Sequence, residues 1–477
     1  MKLCIWVLTF ATGTVIASFG TFARLSVGAD SQQFLNLAST STARTGNSGR
    51  AHFGSSDSNL LTCAPAPCVL RGVLTSPNPG TSTIVAVNPD NLNQLLAGVQ
   101  LNGGAFAYGS LDGGSSWYIG NFSCCFEGGS PTLAYGRNGT AYLAAEDDVV
   151  ELTTTQDNGN DWGQPVTAVS PIFNGGSAQT PWLAVDITKG SPFYNRLYLA
   201  VTQRSSGQVQ SQISVSHSND GGQTWAIATI DEVQTEPSID YFSRIAIGAD
   251  GNVYVAWQRC RMTGRKIDCG GTKASMFFSK SSDGGNTWSS PLKIASVRLV
   301  PDSCDCAFFG NLPHTDEPVA DPPVVATDNS KGKYAGNLYA VMYNWTGTQM
   351  QVQVVTSTDQ GQTWGTPVTV APASATHDQF FADLSVSSTG VVGVSWLDRR
   401  NDKQDVRYQP FAAYSTDGGA SFSDNYALAQ HLSNPYFSSS YMGDYTGNAW
   451  AGGTLYVSWP DTRNLIMQDF VGGLRVK

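Results

Sequence analysis

Ser110-Leu-Asp-Gly-Gly-Ser-Ser-Trp117 is the first of six copies of one short pattern, Ser/Thr-x-Asp-x-Gly-x-x-Trp/Phe. Its fixed positions are Ser110, Asp112, Gly114 and Trp117. The second copy is carried by Thr155, Asp157, Gly159 and Trp162, and the third by Ser218, Asp220, Gly222 and Trp225. Ser281, Asp283, Gly285 and Trp288 carry the fourth. Ser357, Asp359, Gly361 and Trp364 make the fifth, and Ser415, Asp417, Gly419 and Phe422 the sixth. Six copies in 477 residues indicate a repeat architecture. The pattern describes a turn. Its Asp can accept backbone N–H groups just ahead of it, its Gly tolerates a positive φ, and its hydroxyl can bond locally. The aromatic residue then opens the next strand and packs inward. The six Asp, from Asp112 to Asp417, are read as structural turn residues and not as calcium ligands. An EF-hand loop needs alternating oxygen ligands and a Glu at its twelfth position.

Working outward, each turn ends a run of alternating residues, as at 212–218 and 351–357. An apolar run precedes that one, with the flavour Gly-x-Leu-Tyr-Val-x-Trp, at 94–98, 140–145, 196–201, 252–257, 337–342, 390–396 and 454–459. A third run comes before it, at 82–87, 132–135, 182–185, 244–247, 324–327, 384–386 and 447–450. Short β-branched runs between Gly, Asn and Asp clusters are strands. Successive turn Asp lie 45 to 76 residues apart, room for one four-stranded blade with variable loops. The chain therefore reads as all-β: a propeller of antiparallel four-stranded blades, seven in preference to six. The seventh unit runs out near Lys477, and the apolar stretch 68–75 is expected to supply its missing outer strand.

The six turns resemble the Asp box of the sialidase (neuraminidase) superfamily, and the resemblance spans Leu60 to Lys477. It implies the propeller fold and an exported protein acting on extracellular glycans, with hydrolysis of an acidic sugar the leading activity. A lyase acting on uronic-acid polymers, with His377, His314 or a Tyr as base and Arg neutralising the carboxylate, is a second enzymatic reading. A non-catalytic propeller that binds glycan or protein is the third. Sialidases use three Arg on the substrate carboxylate, an Asp acid/base and a Tyr nucleophile activated by a Glu. For the cations the resemblance nominates Arg259, Arg400 and Arg463, with Arg399 and Asp461 beside them. For the nucleophile it nominates Tyr441 or Tyr445, and for the acid Asp444 or Asp398. The family's Phe/Tyr-Arg-Ile/Leu-Pro motif is absent. The nearest strings, Leu70-Arg71-Gly72 and Ser243-Arg244-Ile245-Ala246, lack its Pro.

The placement of charge supports a site on one face. Only 13% of residues are charged. In a meander blade the loops joining strands two and three share a face with the blade-to-blade links, opposite the Asp turns. That face is expected to collect Glu146, Arg204, Arg259, Asp398, Arg400, Asp461 and Arg463 from the first set of loops. The links add Glu236, His314, Glu317, Asp321, His377, Asp378 and Asp444. Val394-Ser-Trp-Leu-Asp-Arg-Arg-Asn401 and Val457-Ser-Trp-Pro-Asp-Thr-Arg-Asn464 match each other. Each places an Asp and an Arg at a strand exit, either to grip a carboxylate or to neutralise one another as a corner device.

The net charge of −10 argues against nucleic acid as a partner but leaves room for a local Arg cluster on an anionic glycan. Lys2, the apolar run 3–16 and small residues up to Ala23 read as a secretory signal cleaved after Ala23. Residues 24–59 read as a Ser/Thr/Gly-rich linker, and 60–477 as a single domain, secreted, periplasmic or at the cell surface. No membrane contact is expected once the signal is removed. Eight cysteines would remain in the exported chain. Cys63–Cys68 and Cys260–Cys269 read as local disulfides, and Cys124 and Cys125 as partners of Cys304 and Cys306, with zinc as the alternative. Neither a metal nor a cofactor is otherwise implied.

Overall fold

A computed structural model describes residues 44–45, 51–54, 63–101, 103–122, 126, 128–262, 269–303, 309–372, 377–437 and 441–477. These form seven antiparallel sheets, each built on four strands, arranged as the blades I to VII of a propeller. Blade I opens with strand Thr81–Val87, blade II with Gly129–Tyr135, blade III with Ser177–Val185 and blade IV with Ser238–Ile247. Blades V, VI and VII open with Val324–Thr327, Gln379–Val386 and Gly447–Ala451. These first strands contact one another in sequence around a closed ring, that of blade VII returning to that of blade I. The second strands, such as Leu197–Arg204 and Val392–Asp398, are buried along their whole length, which explains why their polar residues gather at or near the exit end.

The ring closes as the sequence implies. Cys68–Leu74 pairs with Gln468–Arg475 and becomes the outer strand of blade VII. Within the stretch read as a linker, Arg44–Thr45 and Ala51–Gly54 form a hairpin, and the latter strand pairs with Ser116–Ile119 at the edge of blade I. The linker reading therefore does not hold for those residues: Phe53 opposes Trp117, and blade I carries six strands.

Each Asp turn is built alike. In blade I the Ser110 hydroxyl donates to Asp112 Oδ1 at 2.9 Å and accepts the Gly114 N–H at 2.8 Å. Asp112, itself exposed, accepts the Ser116 N–H at 2.9 Å and the Ser116 hydroxyl at 2.7 Å. In blade IV the Ser281 hydroxyl donates to Asp283 Oδ1 at 2.8 Å and accepts the Gly285 N–H at 2.8 Å. Asp283 then accepts the Thr287 N–H at 2.9 Å and the Thr287 hydroxyl at 2.6 Å. Asp157, Asp220, Asp359 and Asp417 each accept the N–H four residues on, at 2.9 Å. Gly285 has φ 92°, which explains the need for glycine there. The turns also seat one blade on the next. Tyr198 lies against Gly285 and Tyr339 against Gly419, while the Tyr456 hydroxyl donates to Gly113 O at 2.9 Å and joins blade VII to the Asp112 turn of blade I. The disulfides Cys63–Cys68 and Cys260–Cys269 are present. Cys124, Cys125, Cys304 and Cys306 lie outside the described residues.

Candidate functional site

The first strands carry a repeated irregularity that shapes the centre of the molecule. Ser82, Ser130, Thr180, Phe242 and Phe381 all have φ between 48° and 57°, a conformation that non-glycine residues seldom adopt. The strand pairing shifts register there, between Gln179 and Trp182, between Tyr241 and Arg244, and between Phe380 and Asp383. Gly443, with φ 98°, occupies the corresponding place ahead of blade VII. A bulge of this kind re-aims the side chains that follow it. Two residues after each irregular position stand Ile84, Thr132, Trp182, Arg244, Asp383 and Tyr445.

Arg244 is the hub of that set. It is 1% exposed, lies 4.0 Å over the Trp182 ring and 5.4 Å from the Tyr445 ring, and donates Nη1 to its own strand at Ser243 O. Its Nε has no partner, and no ion pair is formed to it among the described residues. Burial pulls its pKa down to about 10, while Tyr445, Asp383, Asp444 and Glu146 oppose that pull. Four partly exposed acidic or phenolic groups act on the same space. The Tyr441 hydroxyl donates to Asp444 Oδ1. Glu146 accepts from the Ser130 hydroxyl at 2.9 Å and from the Thr180 N–H. Tyr241 donates to Gln179 Oε1 at 2.8 Å. Desolvation by burial raises Glu146 to about 7, against the hydrogen bonds from Ser130 and Thr180. Asp444 is raised for the same reason, opposed by Tyr441 and Arg244, and desolvation pushes Tyr441 well above the usual phenol range. Glu146, at about 7, thus holds its proton more tightly than an ordinary carboxyl, the setting in which a carboxyl works as an acid, while Asp444 is the acceptor of the Tyr441 hydroxyl.

Of the residues nominated from the sequence, Tyr441, Asp444 and Tyr445 come together here. Tyr445 forms a wall: its hydroxyl donates to Pro131 O at 2.7 Å and its ring meets Trp182 edge-on. The others sit in corner pairs. Arg400 Nη2 donates to Asp398 Oδ2 at 2.5 Å, Trp396 Nε1 donates to the same oxygen at 2.8 Å, and the guanidinium stacks on Phe411 at 4.5 Å. Blade VII repeats the device with Arg463, Asp461, Trp459 and Phe470, at 2.6, 2.9 and 4.1 Å. Arg259 donates to both oxygens of Asp240, at 2.7 and 2.9 Å, and stacks on Phe277. Arg399 is fully buried and pairs with Asp378 at 3.5 Å. His314 is exposed, and its carbonyl accepts from the Tyr436 hydroxyl. Asp112 and the other turn Asp take no part in the recess, their carboxylates being bonded within their own turns.

Arg244 and Glu146 are the functional candidates that the sequence left unassigned to a role. The available signal was local: an Arg in the first strand of blade IV, at a position filled in other blades by Ile84, Trp182 or Tyr445. Among the described residues no three His, Cys, Asp or Glu gather as metal ligands.

No protein-family model and no curated protein matches the chain. Solved structures do. An ulvan lyase, the structure of a new polysaccharide lyase family, is 11% identical over 85% of this chain and 96% of its own, with a TM-score of 0.54. A Hadza microbial sialidase is 14% identical over 80% of this chain and 73% of its own, at 0.47. An α-L-arabinofuranosidase of Fusarium graminearum, solved with arabinobiose, is 12% identical over 72% and 92%, also at 0.47. Likeness at these identities is likeness of fold, and the fold is one that carbohydrate-active propellers use.

Proposed function

We propose that the protein is an exported enzyme of acidic glycans that hydrolyses a glycosidic bond at the recess around Arg244. The observation that carries the reading is the hydrogen-bonded Tyr441–Asp444 pair, set beside Glu146 and a buried Arg244 with an unused donor. Arg244 holds the carboxylate of the sugar through that donor and its charge. The Tyr441 oxygen attacks the anomeric carbon while Asp444 takes the phenol proton, so that no anion approaches an anionic sugar. Protonated Glu146 gives its proton to the departing glycosidic oxygen. Water then attacks the glycosyl–tyrosine bond, losing its proton to the Glu146 carboxylate, and Tyr441 leaves and recovers its proton from Asp444. In this reading Arg259, Arg400 and Arg463 clamp loop corners, and Asp398 and Asp461 serve their pairs with Arg.

The test is a panel of aryl sialoside, aryl uronide and acidic polysaccharides, with product analysis. Turnover that releases a free reducing sugar and is lost in Tyr441→Phe supports hydrolysis at this site. An unsaturated, ultraviolet-absorbing product would replace hydrolysis by elimination. Glycan binding without turnover of any substrate would make the recess a recognition site.

A further inference from the structure

Arg204 is the second fully buried arginine on this face with no carboxylate paired to it among the described residues. It ends the second strand of blade III and is 1% exposed. One nitrogen, Nη2, donates to Gln208 O at 2.6 Å, while Nε and Nη1 have no partner. The guanidinium lies 5.5 Å over the ring of Tyr241, whose own position is fixed by Gln179 and by Phe242 at 4.5 Å. Directly across from Tyr241 in blade IV is Gln258, fully buried, with neither amide atom bonded. Glu236, the carboxylate that acts on Arg204 through space, is exposed and makes no ion pair with it. By contrast Arg259, Arg399, Arg400 and Arg463 each have an Asp. A desolvated cation left without an anion is costly, and a protein with 37 acidic residues has no shortage of partners to offer. The turn that follows Arg204 and accepts its Nη2 hydrogen bond, Ser206–Gln208, has Gly207 at φ 72° and Gln208 at φ 59°, and Ser206 and Gly207 are exposed.

We propose that Arg204, reached when the Ser206–Gln208 turn lifts, anchors a second anionic group: a carboxylate or sulfate on the sugar next to the one held at Arg244. The substrate is then an acidic oligo- or polysaccharide charged on successive sugars, not a glycan with one charged terminal sugar. The proposal rests on the reading of the Arg244 recess as a glycan site, and it concerns recognition, so binding tests it apart from turnover.

The experiment is calorimetric titration of the full-length protein with three defined oligosaccharides. One carries carboxylates on adjacent sugars, one has the flanking carboxylate methyl-esterified, and one carries a sulfate in its place. The wild type is expected to bind a doubly charged ligand about tenfold or more tightly than the esterified one, as a charge-assisted contact would give. The doubly charged arm that shows this preference identifies the group. Arg204→Gln, checked for folding by near-ultraviolet circular dichroism, is expected to abolish the preference, and Arg204→Lys to restore part of it. A preference that survives Arg204→Gln would overturn the proposal, as would an equal loss for all ligands or no binding by the folded wild type. If the preference depends on Arg204 but no glycan is turned over, the hydrolytic reading falls and this one stands.

Discussion

Tyr441 and Asp444 differ from the corner pairs in what remains for a ligand to use. Asp398 and Asp461 are fully buried and engaged by Trp and Arg at once, so their hydrogen-bonding capacity is largely spent. Tyr441, Asp444 and Glu146 keep part of their surface open. Replacing Tyr441 by Phe is expected to lower kcat about 10²- to 10⁴-fold, with little change in melting temperature. Burial raises Glu146 to about 7, and the proposed mechanism uses it, protonated, as the proton donor. The rate should therefore decline as pH climbs through about 7, and a pH–rate profile of Glu146→Gln should have lost that limb together with most of its activity. Sequence reading reached Tyr441 and Asp444 because they lie in one short link, where neighbours in the chain are neighbours in space. It quoted Arg244 without giving it a role, since the bulge at Phe242 ahead of it is a backbone event with no residue signature: Ser82, Thr180 and Phe381 occupy the same place. Nor does a string of letters disclose which arginines are already satisfied. Arg400 and Arg463 are held by Asp398 and Asp461, each two residues ahead of its partner.

At the scale of the element, the Asp turn is the most legible part of the chain. From Asp112 to Asp417, the bonds from hydroxyl to Asp and from Asp to the next strand span four residues or fewer. The hydroxyl of Ser281 is buried and is the acceptor for the Gly285 N–H. Ser281→Ala is expected to cost about 1–3 kcal/mol by stranding that donor. The same change at Ser415 should add to it almost fully, since the two turns are in separate blades. Denaturant unfolding of the single and double variants measures both. The Trp–Asp–Arg–aromatic corners were half legible: the matched strings of blades VI and VII announce a shared device, but the stacking partners Phe411 and Phe470 come from the next strand. Arg463→Ala removes a charged hydrogen bond to fully buried Asp461 and is expected to destabilise by about 1.5–3 kcal/mol. Kinetic constants unchanged per folded molecule would agree with a clamp; a selective rise in KM would return Arg463 to the substrate.

For the molecule as a whole, the buried acids set the response to pH. Burial raises Glu146, Glu317 and Asp383 each to about 7. Their folded values exceed the unfolded ones, so the folded state binds the extra protons. That stabilisation is complete below the ordinary carboxylate range and is lost as pH rises through about 7. Asp283, whose desolvation is outweighed by hydrogen bonds from Thr287 and Ser281, is held down to about 2. It works in the opposite sense and loses its contribution only as pH falls toward that value. Melting temperature is thus expected to peak in mild acid and to decline from about pH 5 to pH 8. Glu146→Gln combined with Asp383→Asn should flatten the decline, which differential scanning fluorimetry across pH will show. The seven-fold arrangement itself was legible from spacing, and so was the borrowed strand, since a unit lacking its outer edge has to find one.

That borrowed strand also sets a timetable. Thr75 bonds to Asp469 across a separation of 394 residues, so one of the first blade components to leave the ribosome is the last to be used. The Cys63–Cys68 crosslink spans 5 residues, so once the chain is in an oxidising compartment its closure needs no part of blade VII. Without Gln468–Arg475, Cys68–Leu74 has no sheet to join and Thr454–Asp461 is left with an unpaired edge, the kind of edge that other chains can pair with. Arrival of Gln468–Arg475, the partner of Cys68–Leu74, is the event that closes the ring.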